Sequence, residues 1–252
     1  MEASPQYPAN YPRPPIVEAI VQFGFGQRVT RKRLEDGLRT PLRRSYPGPH
    51  KSQHHVEVNA RVEPESVSAS ATRRLKVTFL GSANGLRLVG LADNVLSIHA
   101  LAPYPGWDNL IANACDVVKA TVAALGPVPL ASIALRYIDR IALPGNPAEL
   151  ARYLRLQLGG GEELGAIADF SMQFRRVTAP NRDVTTLVVA ATPPGADGMP
   201  AIAIDLVAAT SQFQPCGLGD TDSWLPIASR LHHLQRSTFE SIITDEMRGL
   251  FE

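Results

Sequence analysis

"LASIALRYIDRIALPG", residues 130–145, decides the fold, because at this point the chain begins again. The run is long, apolar and rich in β-branched residues, and it closes on Pro-Gly, so it reads as a strand. "NPAELARYLRLQL" (146–158) follows as a helix, with Asn146 placed to cap it and Pro147 at its first position. Strand signals come next at 166–178, 183–192 and 201–210, and a helical segment over 220–251 in two pieces ends the chain. The earlier residues run in the same order. "IVEAIVQFGF" (16–25) is a strand, and 29–46 is a helix with Thr30 as cap and Leu34, Leu38 and Leu42 on one face. Pro41 should break that helix. Strands follow at 54–63, 73–81 and 86–101, the last folding back at Ala92-Asp93-Asn94. A helix over 106–125 stops at Gly126-Pro127.

Each half thus reads strand, helix, three or four strands, helix. Trp107 and Trp224 both fall in the first turn of the helix that closes their half. The expected fold class is α+β: duplicated halves, a mainly antiparallel sheet, and helices on one face. Residues 1–15 form a Pro-rich extended arm, 16–126 the first half and 127–252 the second, within one compact unit.

Composition narrows the function classes. Hydrophobic residues at 44% and charged ones at 19% suffice for an ordinary core, and a net charge of +1 gives no global pull toward nucleic acid or membrane. No apolar run approaches the ~18 residues that span a bilayer, and the opening residues lack the apolar stretch of a signal peptide. Cys115 and Cys216 stand far apart and fit no metal or redox spacing, so they read as reduced thiols of a cytoplasmic protein.

The charged residues inside 134–141 admit two readings. Alternation puts Arg136 and Arg140 on one face of the strand, and Tyr137 and Asp139 on the other. Laying Val17–Phe23 over Leu135–Ile141 sets Glu18 where the second half has Arg136. If the two strands are neighbours, Glu18 forms a cross-strand ion pair with Arg136 or Arg140, a structural seam. The other reading is an anion-binding face of Arg136 and Arg140, with Tyr137 or Asp139 as acid or base across the sheet.

Most catalytic signatures are absent. "GSANG" (81–85) is a turn rather than a nucleophile elbow, and "GGGEELG" (159–165) lacks the Lys-Ser/Thr of a phosphate loop. "HKSQHH" (50–55) gathers three histidines, but His54 and His55 would face opposite ways, so neither a metal nor another cofactor is expected. Asp220 and Asp222 open the last helix, where capping alone explains carboxylates. His232 reads as a core histidine or, in the sharper version, as a general base. "YPGW" (104–107) turns the chain and plugs the sheet with aromatics.

One segment carries a local charge excess. Between 28 and 51 stand Arg28, Arg31, Lys32, Arg33, Arg39, Arg43, Arg44 and Lys51 against Glu35 and Asp36, a net +6 that leaves −5 elsewhere. This is either a solvated face or a phosphate-contacting stripe built on Arg31, Lys32, Arg39 and Arg43.

The stretches "PPIVEAIVQFGF" (14–25), "LAPYPGWDNL" (101–110), "IALRYIDRIALP" (133–144) and "LHHLQRSTFESIITDEMRGLF" (231–251) resemble an uncharacterised, sporadically distributed bacterial protein family. In that family Asn usually stands where this chain has Asp139. The matches run in order along nearly the whole chain, but the resemblance brings no assigned activity and no catalytic residue. Its patchy distribution implies an accessory or defence-type role. The first expectation is therefore a non-catalytic binding module acting with a partner protein or as a homodimer. A nucleic-acid-binding component using 28–51 comes second, and a hydrolase using His232 or Asp220 with Asp222 third.

Overall fold

The protein is described from a computed structural model covering residues 11–48, 51–63, 66–144, 150–156, 170–195, 198–211 and 213–252, with backbone alone over 51–76. Among the described residues nine strands form one sheet: β1 (Ile16–Phe25), β2 (Lys51–Glu63), β3 (Ser66–Gly81), β4 (Arg87–Ala92), β5 (Val95–Leu101), β6 (Leu130–Ala142), β7 (Ser171–Thr178), β8 (Asp183–Thr192) and β9 (Ala201–Ala209). Their order is β2-β3-β4-β5-β1-β6-β9-β8-β7, and every neighbouring pair is antiparallel. The expected α+β class with an antiparallel sheet is therefore what the chain adopts. The two strands that open the halves, β1 and β6, lie side by side at the centre, Ala19 opposite Tyr137 and Ile20 opposite Arg136.

The helices are α1 (Arg31–Leu38), α2 (Trp107–Leu125), α3 (Leu150–Tyr153), α4 (Thr221–Ile242) and α5 (Asp245–Gly249). They cover one face of the sheet. On that side Ala19, Val21 and Phe23 of β1 and Ile133, Leu135 and Tyr137 of β6 meet Leu110, Val117, Trp224 and Leu231 in a single buried cluster. A second cluster joins Ile141, Val189 and Ile204 to Phe239, Ile242 and Met247. Alternation of side chains along each strand separates this face from one that, among the described residues, is helix-free. Arg230 fixes α4 to the start of β8 through two bonds to the buried Asp183, 2.8 and 3.1 Å long.

Several elements differ from the sequence reading. The 29–46 helix is α1 alone, capped by Thr30 as expected. Turns continue to 45, so Leu42 and Tyr46 still reach the core. Pro41 lacks the N–H that a longer helix would need there. Of the helix expected over 146–158, the described residues show Leu150–Tyr153 as α3; its capping pair Asn146-Pro147 and the 159–165 glycine run lie outside the described residues. Strands β2 and β3 start earlier than expected, at Lys51 and Ser66, and pair along their whole length. The final helical segment does divide in two, at Ile243-Thr244.

Candidate functional site

The inward parity of β6 carries Ile133, Leu135, Tyr137, Asp139 and Ile141. Asp139 is an acid where its neighbours are core. It sits in register with Ile16 on β1 and Ile204 on β9, and only 2% of it is exposed. Above it runs α4, whose residues His232, Gln235, Arg236, Phe239 and Glu240 repeat at helical spacing and so share one face. The third wall is the turn before α2. Gly106 has φ +91°, a backbone shape that side-chain-bearing residues resist, and it swings Trp107 toward α4. Residues 11–16 cross the remaining side. Together these elements enclose a cavity of about 320 Å³ lined by Tyr104, Trp107, Tyr137, Asp139, His232 and Phe239, with Pro12, Pro14 and Pro15 along the arm.

Polar groups around the cavity are spent on one another. The Trp107 and His232 rings stack with centroids 4.2 Å apart and planes 2° from parallel. His232 Nδ1 is 3.1 Å from Tyr137 Oη, and Tyr137 Oη is 3.2 Å from Tyr104 Oη. Burial pushes the Tyr104 phenol up to about 12 and raises that of Tyr137 too, so both stay neutral. The imidazole of His232 is held down to about 4 by burial, with His233 and Arg236 adding repulsion, so it is neutral as well. Glu240 accepts from Tyr11 Oη at 2.7 Å and from Arg248 Nε at 2.9 Å.

Asp139 is the exception. Its Oδ2 is buried and has no hydrogen-bond partner. Burial, reinforced by the negative charge of Asp205, pushes its carboxyl up to about 8. At neutral pH it is mainly a carboxylic acid, since stranding an ionised carboxylate in an apolar wall is costly. The cavity therefore contains a neutral acid and a neutral base with mostly apolar surface between them.

The other residues singled out from the sequence lie elsewhere. Glu18, Arg136 and Arg140 project from the helix-free face, opposite to Tyr137 and Asp139. Arg136 grips Asp205 through two bonds of 2.8 and 2.5 Å across β6 and β9. Glu18 bonds His99 Nδ1 at 2.7 Å and adds a Coulombic pull on Arg136. Arg140 donates to the carbonyl of Pro193 at 3.0 Å. Asp220 caps α4, accepting from the Ser223 backbone N–H and hydroxyl. It stands twelve residues from His232, roughly 18 Å along a helix, so the two do not share a site.

In the basic segment Arg31 pairs with Glu35 and donates to Thr78 Oγ1 at 2.9 Å, and Lys32 pairs with Asp36 at 2.9 Å. Arg39 and Arg43 are exposed. His50 lies outside the described residues, and His54 and His55 are described by backbone only. Among the described residues no cluster of histidine, cysteine and carboxylate side chains could hold a metal ion. No helix among them is long and apolar enough to cross a membrane.

Sequence reading did not group Tyr11, Tyr104, Trp107, Gln235 and Glu240 with Asp139. Its one usable signal was parity: an acid in step with Ile133, Leu135 and Ile141. The partners come from a loop, an arm and a helix that no spacing rule connects. No protein-family model matches the chain, and no curated protein shows detectable sequence similarity to it.

Proposed function

We propose that the protein is a non-catalytic small-ligand-binding module and that the cavity between β6, α4, the 104–107 turn and residues 11–16 is its binding site. One observation carries this reading: Asp139, a buried acid whose Oδ2 has no hydrogen-bond partner, stands in the wall of an aromatic-lined cavity of about 320 Å³. Buried polar atoms nearly always have partners, and a folded core gains nothing from one left without. The volume lies at the small end of the range for ligand pockets. The basic segment carries the reading less well, because Arg31 and Lys32 already have carboxylate partners.

The test is fluorescence of the full chain against a library of small aromatic compounds. Trp107 lines the cavity, so binding there should quench part of the emission, and Trp107→Phe should lose that quenching while keeping its fold. Quenching that survives in Trp107→Phe would place the ligand elsewhere.

The opposed protonation of His232 and Asp139 supports a second reading, general acid–base catalysis without a covalent nucleophile. Mass spectrometry of each bound compound after prolonged incubation separates the two. Unchanged ligand supports binding alone, and a rearranged or hydrolysed one supports the enzyme.

A further inference from the structure

The cavity also restricts the chemistry of its occupant, if it is the binding site just proposed. We propose that it takes an uncharged, planar compound with a lactam-type edge, a ring carbonyl beside a ring N–H, and that the Asp139 carboxyl pairs with that edge.

Three observations lead there. First, Asp139 is an acid in the cavity wall whose Oδ2 has no hydrogen-bond partner, with Gln235 and Arg236 in the same wall. Tyr104, Tyr137 and His232 bond in a chain, and Glu240 is held by Tyr11 and Arg248. Second, the charges that act on Asp139 exclude a fixed counter-ion. Arg136 and Arg140, flanking it on β6, point to the opposite face and bond Asp205 and the Pro193 carbonyl. On α4, Arg236 acts on His232 rather than on Asp139, and Arg248 of α5 pairs with Glu240. From β9 the only ionic influence is the like charge of Asp205, and from β1 the register neighbour is Ile16. Tyr11 and Tyr104 contribute neutral phenols. The group is thus a carboxylic acid, with one O–H donor and one carbonyl acceptor side by side. Its complement is an acceptor beside a donor, which a lactam presents in one plane. Third, the walls are flat. The stacked Trp107–His232 pair and the rings of Tyr104, Tyr137 and Phe239 suit a planar ring inserted among them.

A cationic amine and a carboxylate are the competing classes. An amine would have to ionise Asp139 and release its proton. A carboxylate would meet the Asp139 carboxyl and Glu240, the latter paired with Arg248, with Arg236 the cation in the cavity wall. The experiment uses 2-pyridone, isoquinolin-1(2H)-one, benzylamine and benzoate as probes. Binding to the full chain is read by ligand-observed NMR up to ~10 mM, the range in which fragments of this size are detected. The lactams should bind and the amine and the acid should not. Lactam affinity should fall about tenfold per pH unit above ~8, as the carboxyl ionises. Asp139→Asn, which keeps a donor beside an acceptor, should hold affinity within about threefold and flatten the pH profile. Asp139→Leu should weaken binding by about tenfold or more, the loss of hydrogen bonds made in a buried site. It should still fold, because it removes an unpartnered polar atom.

Preferential binding of benzylamine, with affinity rising through pH 8, would overturn the lactam class while leaving the cavity as the site. Preferential binding of benzoate would do the same. Lactam binding indifferent to Asp139→Leu would overturn the role of Asp139. If none of the four probes binds, the cavity is not a ligand site and both proposals fall.

Discussion

Trp107 and His232 lie face to face, 2° from parallel with ring centroids 4.2 Å apart, and so join the first residue of α2 to the middle of α4. The contact covers one side of the imidazole while Tyr137 holds Nδ1 from another. Burial is the leading reason that His232 titrates at about 4 rather than 6.5. Removing the indole in Trp107→Ala should hydrate the ring and move its titration up by at least about one unit. Proton NMR of the imidazole reads this directly. A titration still near 4 would mean that α4 and the sheet, not Trp107, keep the ring dry.

Asp139 and His232 should give stability a characteristic pH dependence. The folded value of Asp139, about 8, lies above its ordinary 3.8, so its contribution is complete below 3.8 and is lost as pH rises to about 8. The folded value of His232, about 4, lies below 6.5, so its contribution is complete above 6.5 and is lost as pH falls to about 4. Between 4 and 6.5 the two slopes oppose and nearly cancel. From 6.5 to 8 only Asp139 titrates, and stability should fall by about 2 kcal/mol at ~1.4 kcal/mol per unit. Urea unfolding at pH 6, 7 and 8 measures it. Asp139→Asn should remove the decline, and a decline that persists in that variant would assign it to another group.

Glu240 anchors the arm to the helices. It is fully buried, accepts from Tyr11 and Arg248, and Arg248 also donates to its carbonyl. Replacing it by leucine takes the buried carboxylate away from Arg248, which keeps Asp245 and the backbone carbonyl, and removes the acceptor of the Tyr11 phenol; breaking such a buried pair costs about 3–5 kcal/mol. Asp116→Asn, at a well-exposed carboxylate near Lys119, should change stability by less than about 0.5 kcal/mol. Chemical denaturation of both variants checks the contrast. Equal small effects would show that the arm is held by its aromatic contact, Tyr11 on Phe251, and not by Glu240.

The fold was more legible than the site, for physical reasons visible in particular residues. Period-2 alternation placed β1, β8 and β9 to within a residue, and Thr30 and Asp220 marked helix starts because capping is a local interaction. It also separated Arg136 and Arg140 from Tyr137 and Asp139, since a strand has only two faces. Glu18 was expected to pair with an arginine on β6; it hydrogen-bonds His99 on β5 and acts on Arg136 by a Coulombic pull. Register and side-chain reach decide that choice, and sequence fixes neither. The cavity was illegible because Tyr11, Tyr104, Asp139 and Glu240 come together only through tertiary packing.

The two halves should superpose as repeats. Aligning Val17 with Leu135 implies an offset of 135 − 17 = 118 residues, which makes Ala19 the counterpart of Tyr137, and these two residues face each other in the β1–β6 ladder. A two-fold axis through the seam would have that consequence. An experimental structure should bring β1, β5, β4 and β3 onto β6, β9, β8 and β7, with Trp107 within one residue of Trp224. The counterpart of the cavity would then be closed by Ala19, Val21 and Ala114, all buried. Strands that fail to overlay beyond β1 and β6 would reduce the repeat to a shared element order.

The basic segment provides the last test. Arg31 and Lys32 spend their charge on Glu35 and Asp36, which leaves Arg28, Arg33, Arg39, Arg43 and Arg44 as the segment's exposed arginines. Four to six phosphate contacts would give a slope of log K against log salt of about −3 to −5 for duplex DNA. Those five arginines are spread over residues 28–44 of a chain whose net charge is only +1, which offers little steering. Anisotropy titration with labelled duplex and single strands at ~50 mM salt, where screening is weak, should therefore detect no binding. A steep salt dependence that disappears when Arg39 and Arg43 are changed to Glu, with the fold intact, would instead make 28–51 a nucleic-acid interface. The cavity would then be a secondary feature of a nucleic-acid-binding protein.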